Sequence, residues 1–388
     1  MDFELDESQK LIRETARRIA REIVAPRAAE IDETGAYPED IFQAFREVGL
    51  IGIAVPEAYG GSGAGMLSLA IAIEEVAKHC AASSLILMLT MLATRPILIG
   101  GTEEQKQRWV TPVAEGSLKA SFCLTEPEVG SDAANMRSYA VKDGNEYVLN
   151  GEKVYISGGT VADFCTVFAK TDREAGARGV SAFIVPRDTP GFTVTRTDRK
   201  MGVNGVPTAH FAIQDVRVPA ENLVGGVEGR GLSHALLGLN GTRPLVGARG
   251  LGLAEGAMSY ALEYARKRHT FGKPLTEHQA IEFMFADMVL AIETARLAVY
   301  QAAWLVDQGR YTREDAAYLS VAKTVASETA VKVASDALQV LGAQGYMKDH
   351  PLERHYRDAR QLMIVEGTSQ IQRLVIARAM IQGEINYS

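Results

Sequence analysis

The feature that most constrains the fold is a change of pattern along the chain, from helical periodicity to strand-like alternation and back. In the N-terminal stretch ESQKLIRETARRIAREIVA (7–25), apolar residues recur at helical spacing and share one face: Leu11, Ile12, Ala16, Ile19, Ala20 and Ile23. Between about 121 and 232, apolar and polar residues alternate, as in NEYVLNGEKVYISGG (145–159), and the pairs Asp143-Gly144 and Asn150-Gly151 indicate tight turns. We therefore expect helices first and an antiparallel β domain after them.

The C-terminal part of the chain predicts a helix bundle. Long amphipathic segments dominate it, such as QAIEFMFADMVLAIETARLAVYQAAWLVDQG (279–309), and tight turns between them favour antiparallel helices. With 388 residues, the chain exceeds what one compact core usually holds. We therefore predict an α+β fold with an N-terminal all-α domain (1–120), a middle antiparallel β domain (121–232) and a C-terminal four-helix-bundle domain (233–388).

Charge and cysteine content narrow the range of functions. The chain carries 48 acidic and 41 basic residues, a net charge of −7, so we expect no nucleic acid as partner. Cys80, Cys123 and Cys165 are too widely spaced for a disulfide framework, which indicates a reducing compartment. The acidic start MDFELDESQK differs from a targeting peptide, and we expect a cytoplasmic protein.

One apolar run could be a membrane span or a buried helix, and two histidines could suggest a metal site. AASSLILMLTMLA (81–93) is shorter than the roughly 20 residues that a membrane span needs, so we expect a buried helix and no integral membrane segment. His350 and His355 lack the i, i+4 spacing of zinc-binding helices, and we predict no metal site.

A single acidic residue, Glu366, stands in VEGTSQIQRLVIAR (365–378), between a valine and a glycine and shortly before a helical pattern. One interpretation is structural: Thr368 or Ser369 caps the helix, and an acid near a helix N-terminus suits its dipole. The other interpretation is chemical: the carboxylate projects into a cavity and acts as a base. The residues around Glu366 leave both interpretations open.

Four segments together resemble the signature segments of the acyl-CoA dehydrogenase family, in the order in which the family has them. They are FCLTEPEVGSD (122–132), RHTFGKPLTEHQA (268–280), LQVLGAQGY (338–346) and VEGTSQIQRLVIAR (365–378). The resemblance extends over essentially the whole chain, and it is closest to the short- and medium-chain branch. It implies an FAD-dependent enzyme that converts an acyl-CoA thioester to a 2-enoyl-CoA.

The resemblance also implies which residues bind FAD. Residues 122–131 would lie along the flavin, Tyr155 would pack beside its ring, and Arg268 would hold the pyrophosphate. Residues 339–343 would reach the FAD of a neighbouring subunit. The cofactor residues implied in this way are Phe122, Leu124, Thr125, Gly130, Ser131, Tyr155, Ser157, Arg268, Phe271, Gln279, Gln339, Leu341, Gly342, Thr368 and Gln370.

Glu366 matches the catalytic glutamate of the family, so the resemblance favours its role as base. Another branch carries the base at the position of Thr242, which cannot act as one. The family polarises the thioester carbonyl with the backbone N–H of the glutamate and a ribityl hydroxyl, an oxyanion-hole arrangement. Gly367 would let backbone and ligand approach closely.

Contacts to the CoA thioester are implied for Ser131, Asn240, Arg243 and Gly367. The family has an aspartate where this chain has Asn240, so we expect an altered contact with CoA.

Two residues bear on the acyl group. Val365 replaces the aromatic residue that usually precedes the glutamate, which should widen the pocket near Cα and Cβ. Arg95 is either a solvent-facing helix end or a substrate contact that pairs with the far carboxylate of a dicarboxylyl-CoA.

Three functions follow from the chain as a sequence. The first is a homotetrameric acyl-CoA dehydrogenase that passes electrons to an electron-transferring flavoprotein, as the resemblance implies. The second keeps the fold but changes the reaction to that of an acyl-CoA oxidase or of a decarboxylating glutaryl-CoA-type dehydrogenase. The third is a non-catalytic scaffold, against which the intact Glu366 and flavin segments argue.

Overall fold

The computed structural model of the protein describes residues 4–383. The N-terminal part is helical, as predicted, and its α-helices are α1 (Glu7–Ile19), α2 (Ala25–Thr34), α3 (Glu39–Glu47), α4 (Gly65–Ala77), α5 (Ala81–Gly100), α6 (Glu103–Gln105) and α7 (Thr111–Ala114). Two π-helical turns, Ala20–Val24 and Lys106–Val110, join α1 to α2 and α6 to α7.

Helix α1 shows how local sequence sets a helix start and how packing selects its buried face. Asp6 and Gln9 form a capping box, with the Gln9 N–H donating to the Asp6 carboxylate at 2.8 Å. Ala16 and Ile19 are buried as the apolar pattern predicts. Leu11, placed on the same face by the pattern, is 69% exposed. The set of α1 residues that are buried is therefore smaller than the set of apolar residues that the periodicity places on one face.

Helix α5 is the apolar run that the sequence predicts to be a buried helix. It is 20 residues long, longer than the run itself, and among the described residues it is the one helix long and apolar enough to cross a membrane. Most of it is buried inside the protein, because α4, α8 and strand β1 (Ala120–Cys123) pack around it. This burial confirms the prediction of a core helix.

The middle part forms one seven-stranded sheet with the order β1-β4-β2-β3-β7-β6, and β5 pairs with β4. Its remaining strands are β2 (Tyr139–Asp143), β3 (Glu146–Ser157), β4 (Phe164–Lys170), β5 (Val180–Pro186), β6 (Phe192–Thr197) and β7 (Thr208–Pro219). Most pairs are antiparallel, but β1 and β2 pair with β4 in parallel, so the sheet is mixed and the prediction of a wholly antiparallel domain is wrong for these two pairs. The β2–β3 hairpin lies between β1 and β4 in the chain and provides the crossover that a parallel pair requires.

Of the two predicted turns, one is a turn and the other is a bulge. Gly144, with φ 60°, begins the turn between β2 and β3. Asn150-Gly151 lies inside β3 instead, where the register to β7 shifts between Leu149 and Gly151. A Cβ at Gly151 would stand 2.2 Å from the Ser138 hydroxyl, so glycine is required for close packing rather than for a chain reversal.

The C-terminal part is a bundle of long helices, as predicted. Helix α10 (Ala316–Leu341) packs against α8 (Gly231–Lys267), α9 (Gln279–Asp307), α11 (Leu352–Leu362) and α12 (Ser369–Ile381). A small hairpin, β8 (His269–Thr270) and β9 (Lys273–Pro274), connects α8 to α9. The α+β fold class is thus confirmed. The domain boundaries after residues 120 and 232 stay a prediction, and residues 384–388 of the last domain lie outside the described residues.

Candidate active site

Glu366 lies in the turn between α11 and α12, where the backbone takes an unusual conformation. Its φ is 52°, and that of Gly367 is 92°. A left-handed conformation costs a non-glycine residue about 1–3 kcal/mol and persists only where surrounding contacts hold it. Thr368 caps α12, because its hydroxyl accepts a hydrogen bond from the Ile371 N–H at 3.2 Å. The capping role therefore belongs to Thr368, and the Glu366 side chain is free for another.

The carboxylate of Glu366 is enclosed by protein. Its Oε2 accepts a hydrogen bond from the Thr242 hydroxyl at 2.8 Å, and its Oε1 is shielded from solvent without a partner among residues 4–383. The residue as a whole keeps some accessible surface. Burial of the carboxylate raises the pKa of Glu366 to about 7, against the opposing effects of the Thr242 hydrogen bond and nearby cations. A carboxylate with this pKa can accept a proton near neutral pH.

Three buried cations lie near this carboxylate: Arg243 and Arg249 on α8, and Lys323 on α10. Lys323 Nζ donates to the Gly367 carbonyl at 2.9 Å. Burial lowers the pKa of both arginines to about 10 and the pKa of Lys323 to about 8. All three are therefore charged at neutral pH, and they stabilise the ionised form of Glu366.

The backbone N–H groups of the hinge point to a ligand as partner. In the part of the chain that the structure describes, no protein atom accepts a hydrogen bond from the N–H of Glu366 or of Gly367. A pair of free donors beside a base is suited to an oxygen that gains negative charge during a reaction. This arrangement agrees with the oxyanion role that the resemblance implies for the Glu366 N–H.

The structure brings together the two middle-domain segments predicted to bind flavin. The Val154 N–H donates to the Thr125 carbonyl at 2.9 Å, and the Ser121 hydroxyl donates to the Ser157 carbonyl at 2.9 Å. Beneath them, the buried Lys153 donates to the Leu124 carbonyl at 3.0 Å. These contacts fix the end of β1 against β3, so residues 122–131 and 155–157 form one surface.

Tyr155 projects outward from that surface. Its φ is 60°, because the register between β3 and β7 shifts between Lys153 and Ile156, and its side chain is 63% exposed. Phe122 is partly buried, with its ring centroid 4.9 Å from that of Phe168. An exposed aromatic ring on a strained backbone beside a rigid strand end suits the packing of a planar cofactor.

The predicted residues for the pyrophosphate and adenosine half of FAD are exposed. Phe271 stands at the tip of the β8–β9 hairpin with φ 51° and is 98% exposed. Arg268 is exposed and forms no ion pair with any residue in the range 4–383. Gln279 and Gln339 are exposed as well. Free guanidinium and amide donors fit a phosphate-containing group, for which arginine supplies a bidentate fork.

The remaining cofactor candidates occupy varied environments. The side chains of Leu124 and Leu341 are buried. Ser157 and Thr368 are partly buried. The exposed ones are Gly130, Ser131, Gly342 and Gln370. Within residues 4–383, no backbone hydrogen bond joins the hinge to the hairpin 269–274, and their joint role toward FAD stays a prediction.

The predicted CoA contacts Asn240 and Arg243 are buried and have protein partners. Asn240 Nδ2 donates to the carbonyls of Tyr311 and Thr312 at 3.1 and 3.3 Å, and Arg243 Nη1 donates to Ser320 Oγ at 3.1 Å. The Nε of Arg243 is buried without a partner among the described residues. Their role toward CoA stays a prediction.

Arg95 is 8% exposed, which contradicts the interpretation as a solvent-facing helix end. Its guanidinium stacks over the Tyr311 ring at 4.5 Å, and a Cβ at Gly241 would stand 2.3 Å from its Nε. Arg95 therefore packs on the Gly241 side of α8, whereas the Glu366 carboxylate binds the neighbouring Thr242, about 100° around the helix. The pairing of Arg95 with the far carboxylate of a dicarboxylyl-CoA stays a prediction. Val365 is partly buried against the main apolar core.

Several residues around Glu366 escaped the sequence analysis: Thr242 as a hydrogen-bond partner, Arg249, Lys323 and Gln372. Each lies on a helix that is remote in sequence from the hinge, or one turn beyond it. The signal that could have indicated them is a polar residue within an otherwise apolar helix face, because Arg249, Lys323 and Gln372 are all buried.

Among the described residues, no group of three or more His, Cys, Asp or Glu side chains could hold a metal ion. Known proteins provide a clearer comparison. The chain matches the models of the acyl-CoA dehydrogenase N-terminal, middle and C-terminal domains over residues 6–117, 121–216 and 229–381.

Relatives with this fold are similar over nearly their whole length. A probable acyl-CoA dehydrogenase of Bacillus subtilis, YngJ, is 44% identical over 98% of this chain and 100% of its own. The solved butyryl-CoA dehydrogenase of Megasphaera elsdenii matches with a TM-score of 0.95 and 39% identity, over 98% of this chain and 100% of that one. A chain from a structure described as the electron transferring flavoprotein of Acidaminococcus fermentans matches with a TM-score of 0.95 and 40% identity, over the same shares. This chain therefore belongs to the acyl-CoA dehydrogenase family of flavoprotein oxidoreductases.

Proposed function

We propose that the protein is an FAD-dependent acyl-CoA dehydrogenase in which Glu366 is the base. The observation that carries this proposal is the enclosed carboxylate of Glu366. Its Oε1 lacks a protein partner within the described chain, and its pKa of about 7 suits proton transfer at neutral pH. A merely structural acid at a helix start would be solvated or would bond to the helix N–H groups.

In the proposed reaction, Glu366 takes the proton from Cα of the acyl chain, and the Thr242 hydroxyl holds the other carboxylate oxygen in place. The Glu366 N–H, free of protein acceptors among residues 4–383, hydrogen-bonds the thioester carbonyl as negative charge develops there. FAD, when bound, supplies the acceptor for the hydride that leaves Cβ. The product is a 2-enoyl-CoA.

The residues that would hold FAD lie on two surfaces. Thr125, Ser131 and Tyr155 on the middle domain would contact the flavin end, and Arg268 and Phe271 would contact the pyrophosphate and adenosine end. Support comes from the exposure of Ser131, Tyr155, Arg268 and Phe271 and from the absence of an ion-pair partner for Arg268 in the described chain, whereas Thr125 is partly buried. Residues 339–343 would complete the site of a neighbouring subunit.

A homotetramer is the assembly we propose. Helix α9 exposes apolar side chains at intervals of seven residues: Phe283, Leu290, Leu297 and Trp304. Such a stripe on one helix face is typical of helix–helix contact between subunits. We also propose a cytoplasmic location and electron transfer to an electron-transferring flavoprotein, supported by the similarity to the Acidaminococcus fermentans structure.

The test is an anaerobic titration of the purified yellow protein against a panel of CoA thioesters, following loss of the flavin absorbance. At least one acyl-CoA should bleach the flavin, and Glu366→Gln should not bleach on the same timescale. Bleaching followed by rapid oxygen consumption would identify an oxidase instead, and release of carbon dioxide from glutaryl-CoA would identify the decarboxylating reaction. A colourless protein, or a flavin that no thioester reduces, would leave only the scaffold.

A further inference from the structure

Two buried side chains donate hydrogen bonds to the backbone that carries the proposed base. Gln372 Nε2, on α12, donates to the carbonyls of Glu366 at 2.9 Å and of Gly367 at 3.1 Å. Lys323 Nζ, on α10, donates to the same Gly367 carbonyl at 2.9 Å. Both side chains are fully buried, and neither belongs to the predicted site.

These contacts hold the hinge in a conformation that it would not keep alone. Glu366 has a left-handed φ of 52°, which a residue with a Cβ adopts only under constraint. The packing leaves no room for another side chain at position 367, because a Cβ there would stand 2.6 Å from Gln372 Nε2. The direction of both hinge carbonyls is therefore set by donors from two different helices.

The direction of these carbonyls matters for the chemistry. In a trans peptide the N–H points opposite to the carbonyl, so fixing the Glu366 carbonyl fixes the Gly367 N–H. The left-handed φ in turn sets the Glu366 N–H relative to its own side chain. A rotation of the hinge would move both the base and the N–H donor, and displacements near 1 Å can cost about 10²-fold in rate.

We propose that Lys323 and Gln372 are positioning residues that hold the Glu366–Gly367 hinge in its reactive conformation, with the Lys323 ammonium also stabilising the Glu366 carboxylate. This inference rests on the proposed function of Glu366. The two residues act on the hinge in different ways. Gln372 contributes hydrogen bonds only, whereas Lys323 contributes a hydrogen bond and a positive charge.

Other charged groups enter the same electrostatic balance. Arg243 and Arg249 of α8 also face Glu366, and Glu328 of α10 acts on Lys323. Arg243, Arg249 and Glu328 are unchanged in the Lys323 and Gln372 variants described below. A shift in the titration of the base can then be assigned to the ammonium group that is removed.

The experiment measures the rate of flavin reduction by a reactive acyl-CoA between pH 5.5 and 9.5 in holoenzyme variants. Lys323→Met should move the acidic limb of the profile upward by about one pH unit, a roughly tenfold loss on that limb. Lys323→Arg keeps the charge, so its limb should stay near the wild-type position. Gln372→Leu should lower the plateau rate at least about tenfold without moving the limb.

The matched control is Lys332→Met on the same helix, since Lys332 is more than half exposed and pairs with Asp336. Its profile should equal that of the wild type. FAD content and the flavin spectrum show which variants are folded. An unmoved limb in a folded Lys323→Met, or an unchanged plateau in Gln372→Leu, would overturn the proposal. Failure of every thioester to reduce the wild-type flavin would instead overturn the proposed function.

Discussion

The proposed base, Glu366, and the predicted cofactor surface differ in how many contacts they make within the described chain. Around Glu366, side chains from α8, α10 and α12 contact the hinge or its carboxylate, and none of these contacts needs a ligand. At the cofactor surface, Arg268 is exposed without an ion-pair partner in the described chain, and Phe271 is almost fully exposed. The comparison teaches that packing within one chain holds the Glu366 hinge in place, whereas the residues proposed to bind FAD are exposed to solvent.

The two regions also differ in electrostatics. At the hinge, burial acts against the ionised form of Glu366, and three buried cations act in its favour, which leaves its pKa near 7. At the predicted cofactor surface, the exposed charge of Arg268 is screened by solvent and salt. Changes at the hinge should therefore alter chemistry, and changes at the surface should alter affinity.

The largest expected effect separates the two regions directly. Glu366→Gln should lower the rate of flavin reduction by about 10²–10⁴-fold or more, since glutamine keeps the shape but cannot accept the proton. FAD content should stay at the wild-type level. Glu263→Gln, at an exposed position of α8, is the control and should leave the rate unchanged. Flavin reduction within a few-fold of wild type in Glu366→Gln would mean that Glu366 is not the base.

The next prediction sharpens the electrostatic difference. The pKa of Glu366 is raised from 4.5 to about 7 in the folded protein, so the native state binds the proton more tightly than the unfolded chain. Stability should therefore fall as pH rises between these two values, by about 3 kcal/mol in total. Glu366→Gln removes this loss.

The measurement for that prediction is the thermal unfolding midpoint of the two holoenzymes at low and high pH. The variant should unfold at a higher temperature than wild type at pH 8 and at a similar temperature near pH 4.5. An equal difference at both pH values would show that the carboxylate is solvated in the folded protein.

A smaller effect is expected at the cofactor surface. Arg268→Ala should weaken FAD binding by about 2 kcal/mol, roughly 30-fold, because a charged hydrogen bond to phosphate is worth about 1.5–3 kcal/mol. The control is Arg266→Ala, two residues away, whose guanidinium pairs with Glu263. FAD retention after dialysis is measured for both. Equal retention would make Arg268 an ordinary surface residue.

The smallest effect concerns Arg95. If it bound a distal carboxylate, Arg95→Leu would change the ratio of kcat/KM between straight-chain and ω-carboxylated acyl-CoA substrates by tenfold or more, about 1.4 kcal/mol. Because the Arg95 guanidinium already stacks on the Tyr311 ring and packs against Gly241, we expect a change below about threefold. A tenfold change would place Arg95 in the acyl pocket and restore the dicarboxylate interpretation.

The sequence by itself determined the fold class and the family. Helical and strand periodicities are local patterns, so they can be recognised without knowing how the elements pack. The four signature segments, in family order, identify the family. The sequence also singled out Glu366. The prediction from sequence was wrong where one local pattern is compatible with two structures. Asn150-Gly151 can form a turn or a bulge, and an arginine near a helix end can face solvent or the core.

Only the tertiary structure decided what surrounds the base. Thr242, Lys323 and Gln372 lie on three helices, and Thr242 and Lys323 are remote in sequence from Glu366. Their meeting depends on how α8, α10 and α12 pack, and burial then gives their charges and hydrogen bonds a strength that exposed groups lack. The sequence identifies Glu366 as the candidate acid. Its pKa and its backbone conformation are set by contacts between residues that are distant in sequence, because the carboxylate is removed from solvent only when the core assembles.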